Sequence, residues 1–157
     1  MSDMLAGSSG NDEIQTPRDL FNKLDATYQF DYDAFASDLN ALCELYSTLS
    51  GTGFIYKLVD QRDGLAYPWR NHRVFLNPPY SKLMAVAEKM VSERNNAEII
   101  VALIKVDTST RWWQTLAPYA HIDYLPRRVK YVHPDPPKGW AGASFPSAIV
   151  LMKKDWM

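Results

Sequence analysis

Apolar residues along this chain fall into short unbroken runs and into spaced patterns, and the two kinds predict different elements. The run Ile99 to Ile104 reads as a central strand buried on both faces, because a strand with one wet face would alternate. Val74-Phe75-Leu76 and the segment Ser147 to Met152 read as further buried strands. Between the first two, Leu83, Met84, Ala87, Met90 and Val91 recur at helical spacing, with Lys82, Glu88, Lys89 and Glu93 on the other faces and Asn95-Asn96 ending the element. Met84 and Met90 are core filler on this pattern. Strand, helix and strand in that order form the βαβ signature of a parallel sheet.

Upstream, Thr16-Pro17 predicts a helix start, with the threonine as N-cap, the proline at the first helical position, and Leu20, Phe21 and Leu24 as a short apolar face. Phe30 to Phe35 alternates apolar and acidic residues and predicts the first strand. Leu42 to Tyr46 and Phe54 to Val59 predict two strands joined across Gly51-Thr52-Gly53. Ile122 to Leu125 reads as another short strand. Arg127, Arg128 and Lys130 alternate about Val129, which places the three cations on the solvent side of a strand. The loop His133 to Ser144 carries Pro134, Pro136, Pro137, Gly139 and Gly142 and excludes regular structure; near a site it would act as a lid or a reading segment. The expected whole is α/β: one mixed, mostly parallel sheet of six or seven strands.

Composition narrows this picture. A chain of 157 residues, 46% hydrophobic, is one ordinary domain with a single core, expected over residues 14–157 behind a small, polar, flexible leader at 1–13. The formal charge of −1 excludes a bulk polyelectrolyte binder, so nucleic-acid contact would come from a local basic patch. One cysteine, Cys43, and three scattered histidines argue against a disulfide and against a metal centre. No apolar run approaches the roughly 20 residues of a membrane span, and the expected location is cytoplasmic.

The candidate chemistry lies at Asn77-Pro78-Pro79-Tyr80, directly after the run 74–76. Two prolines fix two φ angles and hold the residue before each extended. An asparagine oxygen and a backbone carbonyl so held can accept two hydrogen bonds from an –NH2 group, while a tyrosine stacks on the ring that bears it. Asp33, and secondarily Asp31, would then be carboxylates delivered by the first strand to bind ribose hydroxyls or an ammonium, because ligands of open α/β sheets sit beyond the carboxyl ends of the strands. The bland alternative is a solvated strand face or a helix cap.

Asn-Pro-Pro-Tyr at a strand end resembles the catalytic motif of the S-adenosylmethionine-dependent amino methyltransferases. Thr16-Pro17 with Leu20-Phe21, Phe30-Asp31-Tyr32-Asp33-Ala34, Asp63-Gly64-Leu65 with Trp69, Thr108 to Trp112, and Phe145-Pro146-Ser147-Ala148 extend the resemblance, in order, to the phage and prophage DNA N-6-adenine methyltransferases. The resemblance implies a single Rossmann-like methyltransferase domain, S-adenosylmethionine as cofactor, and double-stranded DNA with a flipped adenine as substrate, in the host cytoplasm if the protein is phage-encoded. It implies Asn77, Pro78, Pro79 and Tyr80 as catalytic residues, and Thr16, Pro17, Asp31, Asp33 and Asp63 at the cofactor. Arg111, Arg127, Arg128 and Lys130 become phosphate contacts, against the default of an exposed charged face. Asp63-Gly64 is otherwise simply a turn, and Trp112 and Trp113 otherwise anchor a helix. No glycine-rich turn follows Asp33. Three further readings stay open: an amino methyltransferase for RNA or protein glutamine, a non-catalytic module that binds DNA or protein through the same groove, and a homodimer that widens the DNA contact.

Overall fold

The computed structural model describes residues 14–36, 40–48, 63–140, 142 and 145–156. Helix α1 (Arg18–Tyr28) leads into strand β1 (Tyr32–Ala36), and β2 (Leu45–Thr48) and β3 (Arg73–Leu76) follow. The motif and a single 3-10 turn, Tyr80–Lys82, connect β3 to α2 (Leu83–Glu93), which returns the chain to β4 (Ile99–Lys105). Helix α3 (Arg111–Leu116), a 3-10 turn at Ala117–Tyr119, β5 (His121–Tyr124) and β6 (Ser147–Lys153) complete the order. The six strands form one sheet in the order β2-β1-β3-β4-β6-β5. Pairings among β2, β1, β3 and β4 are parallel, and β6 runs antiparallel to both neighbours. This is the mixed, mostly parallel α/β sheet expected from the βαβ pattern.

The core follows from the apolar runs. Ile99 to Ile104 is buried along its whole length, and Val74, Phe75 and Leu76 beside it are fully enclosed. Each such aliphatic side chain contributes roughly 1.5–3 kcal/mol on leaving water. On one side of the sheet, Phe21 of α1 meets Phe75 edge-on at 5.1 Å, with Phe30 alongside. Helix α1 descends from the carboxyl end of the parallel strands to their amino end, where the Tyr28 carbonyl accepts a hydrogen bond from Arg73 Nε.

Several expectations are corrected. Arg18 opens α1, so Pro17 is the N-cap and Thr16 precedes it; no side chain caps the helix, and Thr16 is buried instead. Leu42 to Glu44 form bends and the strand begins at Leu45, since only from there does the chain find β1 as partner. Arg127 to Lys130 is irregular, because no strand among the described residues lies alongside to take its backbone hydrogen bonds, although Val129 is buried as the alternation requires. The leader 1–13, Gly51-Thr52-Gly53, Phe54 to Val59, and Ala141, Ala143 and Ser144 of the long loop lie outside the described residues.

Glu93 is the clearest departure from the helical pattern. It is buried rather than outward-facing. Its carboxylate accepts hydrogen bonds from Lys89 Nζ at 2.8 Å, the Trp69 backbone N–H at 3.2 Å and Asn96 Nδ2 at 3.2 Å. Burial alone would raise its pKa; these donors outweigh burial and hold it below the ordinary glutamate value. Its stabilising contribution is therefore present above the unfolded-state pKa and is lost as pH falls through the lower folded value. Glu93→Ala leaves the Trp69 N–H and the Lys89 ammonium without their acceptor, and should cost about 3 kcal/mol in urea unfolding at neutral pH.

Candidate active site

Asn77 begins where the hydrogen-bonded ladder of β3 stops, one residue beyond the Leu76–Ala102 register pair. Pro78 and Pro79 are buried, and Pro79 is extended at φ −66° and ψ 129°. The Pro79 carbonyl is spent on the Lys82 N–H at 3.0 Å, closing the 3-10 turn. Among the described residues, neither the Asn77 side chain nor the Pro78 carbonyl takes part in a hydrogen bond. The motif thus presents two acceptors, one amide oxygen and one rigid carbonyl, at the carboxyl end of an interior strand.

Tyr80 lies mostly buried beside them. Its ring meets Phe145 edge-on at 5.3 Å, and Lys105 Nζ stands 5.7 Å from the ring centroid. Its hydroxyl reaches the Tyr131 hydroxyl at 3.5 Å, and Tyr131 pairs in turn with Ser147 Oγ at 2.8 Å. Burial pushes the pKa of both tyrosines up, so both hydroxyls stay protonated at neutral pH. The segment carrying Tyr131 leaves β5 and crosses the carboxyl end of the sheet. It then forms an antiparallel bridge from Val132 to Gln15, which puts Thr16 and Pro17 at the same end as the motif.

The expected carboxylates separate. Asp33 is buried on β1, opposite Phe75 of β3. Its Oδ2 accepts from the Leu42 N–H at 3.1 Å, and burial raises its pKa to about 7 despite hydrogen bonds from the Leu42 and Phe35 backbones. Asp31 precedes β1 at the amino end of the sheet. There its Oδ1 accepts from the Arg73 N–H at 3.0 Å and pairs with His72 Nδ1 at 3.2 Å, a strand's length from the carboxyl edge where the motif lies. Asp63 stands at the carboxyl end of β1 and β2, because Gly64 N–H donates to the Thr48 carbonyl. Its Oδ1 accepts from the Leu65 and Ala66 N–H groups, both at 2.9 Å, in the turn that Asp-Gly predicts.

The cations sit at the rim. Arg111 is exposed on the first turn of α3, whose cap is Thr110 Oγ1 accepting from the Trp113 N–H at 3.3 Å; Trp112 and Trp113 are buried anchors. Arg127, Arg128 and Lys130 are exposed on the segment crossing the carboxyl end. Lys105, Tyr131, Phe145 and Ser147 complete the surroundings of Tyr80, and the sequence by itself gives none of them a role. Lys105 leaves one readable trace there, a lone cation closing an apolar run, and Phe145 and Ser147 leave another within the block Phe145-Pro146-Ser147-Ala148. Burial pushes the Cys43 thiol up to about 12, so it is no nucleophile. Among the described residues no group of His, Cys, Asp or Glu could hold a metal ion, and no helix is long and apolar enough to cross a membrane.

A mostly parallel sheet with Asn-Pro-Pro-Tyr leaving an interior strand, and an aromatic ring beside two open acceptors, defines a Rossmann-like domain of the methyltransferase class. A sequence model of the DNA N-6-adenine-methyltransferase (Dam) family matches residues 6–157, and the chain belongs to that family. The chain is also similar to the DNA N-6-adenine-methyltransferase of Escherichia phage T1, with 31% identity over 101 residues. That match takes in 62% of this chain and 37% of the phage protein, so the shared region spans well under half of that relative.

Proposed function

We propose that this chain transfers a methyl group from S-adenosylmethionine to the exocyclic amine of adenine in DNA. The observation that carries the reading is the pair of open acceptors, the Asn77 side-chain oxygen and the Pro78 carbonyl, beside the Tyr80 ring. An adenine amine is a weak nucleophile because its lone pair is delocalised into the ring. Two hydrogen bonds accepted by Asn77 and Pro78 favour a more tetrahedral nitrogen and localise that pair, and rigid placement by the two prolines supplies orientation. The target base must leave the duplex to reach these groups, and Tyr80 offers it a ring to stack on as Phe145 gives ground. Membership of the Dam family supports adenine as the base and DNA as its carrier.

S-adenosylmethionine, when bound, supplies an electrophilic methyl on a cationic sulfur. The residues at this end of the sheet fit such a group. Asp33 is a buried carboxyl whose charged form is disfavoured by burial, and a cationic ligand would offset that. Thr16 and Pro17 line the same end, and Asp63 retains one carboxylate oxygen beyond its turn. Asp31 is left out of this set by its place at the opposite end.

Asp33 gives the cofactor site a pH signature. Its proton is held to about pH 7 in the free chain, and binding a cation favours the ionised form. Cofactor affinity should rise as pH increases through about 7, with proton release detectable by calorimetry in buffers of different ionisation enthalpy. Asp33→Asn should flatten the dependence; an unchanged dependence would remove Asp33 from the site. Stability runs the other way. The raised folded pKa makes this residue's contribution greatest below the unfolded carboxyl pKa, and it declines as pH rises through about 7. The function itself is tested by offering DNA, RNA and protein in parallel with labelled S-adenosylmethionine, and label confined to RNA or protein would overturn the DNA assignment.

A further inference from the structure

We propose that Lys105 receives a backbone phosphate of the extruded nucleotide. The inference rests on the adenine-methylation reading above and adds a specific DNA contact to it. Strand β4 is apolar from Ile99 to Ile104 and ends in this one cation, half-buried at the carboxyl end of the sheet. Among the described residues Lys105 forms no ion pair and no hydrogen bond, so its charge is free to meet a ligand. The group it faces is an aromatic ring. Nζ lies 5.7 Å from the Tyr80 centroid, and the strand register sets Lys105 opposite Ser147, the hydrogen-bond partner of Tyr131.

The attraction between an ammonium and a ring face contributes about 0.5–2 kcal/mol, enough to hold the side chain over Tyr80 while leaving its charge unneutralised. A cation beside the amine would oppose the positive charge that methylation places on nitrogen, so its chemistry suits a ligand anion more than the reacting atoms. The base stacked on Tyr80 carries its sugar and phosphate with it. A phosphate is therefore the anion delivered to Lys105 whenever the base is seated. Arg111, Arg127, Arg128 and Lys130 at the rim then meet phosphates of the flanking duplex.

Binding of a labelled, unmethylated duplex is followed by fluorescence anisotropy over a range of salt concentrations, for the native chain, Lys105→Met and Lys105→Arg. Cofactor affinity of each is measured by calorimetry. Lys105→Met, which keeps the side-chain stem in the core, should bind DNA more weakly, with the slope of log affinity against log salt reduced by about 0.9. Lys105→Arg should restore the slope, and cofactor affinity should be the same in all three. An unchanged slope in Lys105→Met would overturn the proposal while the methyltransferase reading stands. So would a loss of cofactor affinity with the DNA slope intact, since the anion would then be the cofactor's carboxylate. A native chain that binds no DNA would overturn both.

Discussion

Asn77→Ala should lower methyl transfer to DNA by about 100- to 1,000-fold, the scale found when one preorganised hydrogen-bonding group is removed from a reacting centre. The loss should fall on turnover, because the interaction strengthens as the amine nitrogen becomes tetrahedral, whereas seating of the base depends on Tyr80 and the phosphate contacts. Folding should be almost unaffected. The Asn77 side chain makes no hydrogen bond among the described residues, and the prolines that shape the turn remain. Single-turnover transfer assays beside thermal unfolding separate the two effects. A variant as active as the native chain would remove Asn77 from the chemistry. One that is inactive only because it no longer folds would show that the motif is a structural turn.

Gly64→Ala should destabilise the fold by on the order of 3 kcal/mol, at the upper end for overpacking by a single methyl. A Cβ at this position would stand 2.1 Å from the Ala34 carbonyl oxygen and 2.7 Å from Phe35 Cε1. The oxygen belongs to the backbone of β1, so relief requires the strand or the 63–72 loop to move. The loop is held at both ends, by Gly64 N–H on Thr48 and by Trp69 on Glu93 and on the Gly64 carbonyl. Urea unfolding measures the loss. Because Asp63 and Asp33 flank the displaced segment, cofactor affinity should fall with it. Stability equal to the native chain's would mean that the loop does not seat against β1 as described.

The parts of this fold that could be read from sequence are those whose signal is local. Ile99 to Ile104 is a buried strand and 83–93 a helix because an unbroken apolar run and a 3.6-residue period each have one economical solution. Their order around Asn77 fixes the motif at a strand end. What escaped depends on partners distant in the chain. Glu93 shares its spacing with outward-facing charges, and its burial is made favourable by Lys89, the Trp69 N–H and Asn96 together, of which Trp69 comes from another loop. Asp31 and Asp33 are two residues apart and chemically alike. Chain order already puts Asp33 nearer the carboxyl end; what no spacing within 30–35 reveals is that Asp31 precedes the strand and is tied there to the Arg73 N–H and His72 Nδ1. Arg127 to Lys130 alternates like a strand, but alternation supplies no neighbour to pair with. Tyr131 meets Tyr80, and through its hydroxyl Ser147, only because the segment after β5 crosses the end of the sheet, and their sequence positions give no hint of it.

The reaction itself can be read in one experiment. Native protein incubated with S-adenosylmethionine carrying a labelled methyl and with unmethylated double-stranded DNA, followed by digestion to nucleosides, reads it directly. Label should appear in N-6-methyl-2′-deoxyadenosine and in no other nucleoside. Label in a cytosine derivative, or none in DNA from a chain that binds both cofactor and duplex, would contradict it.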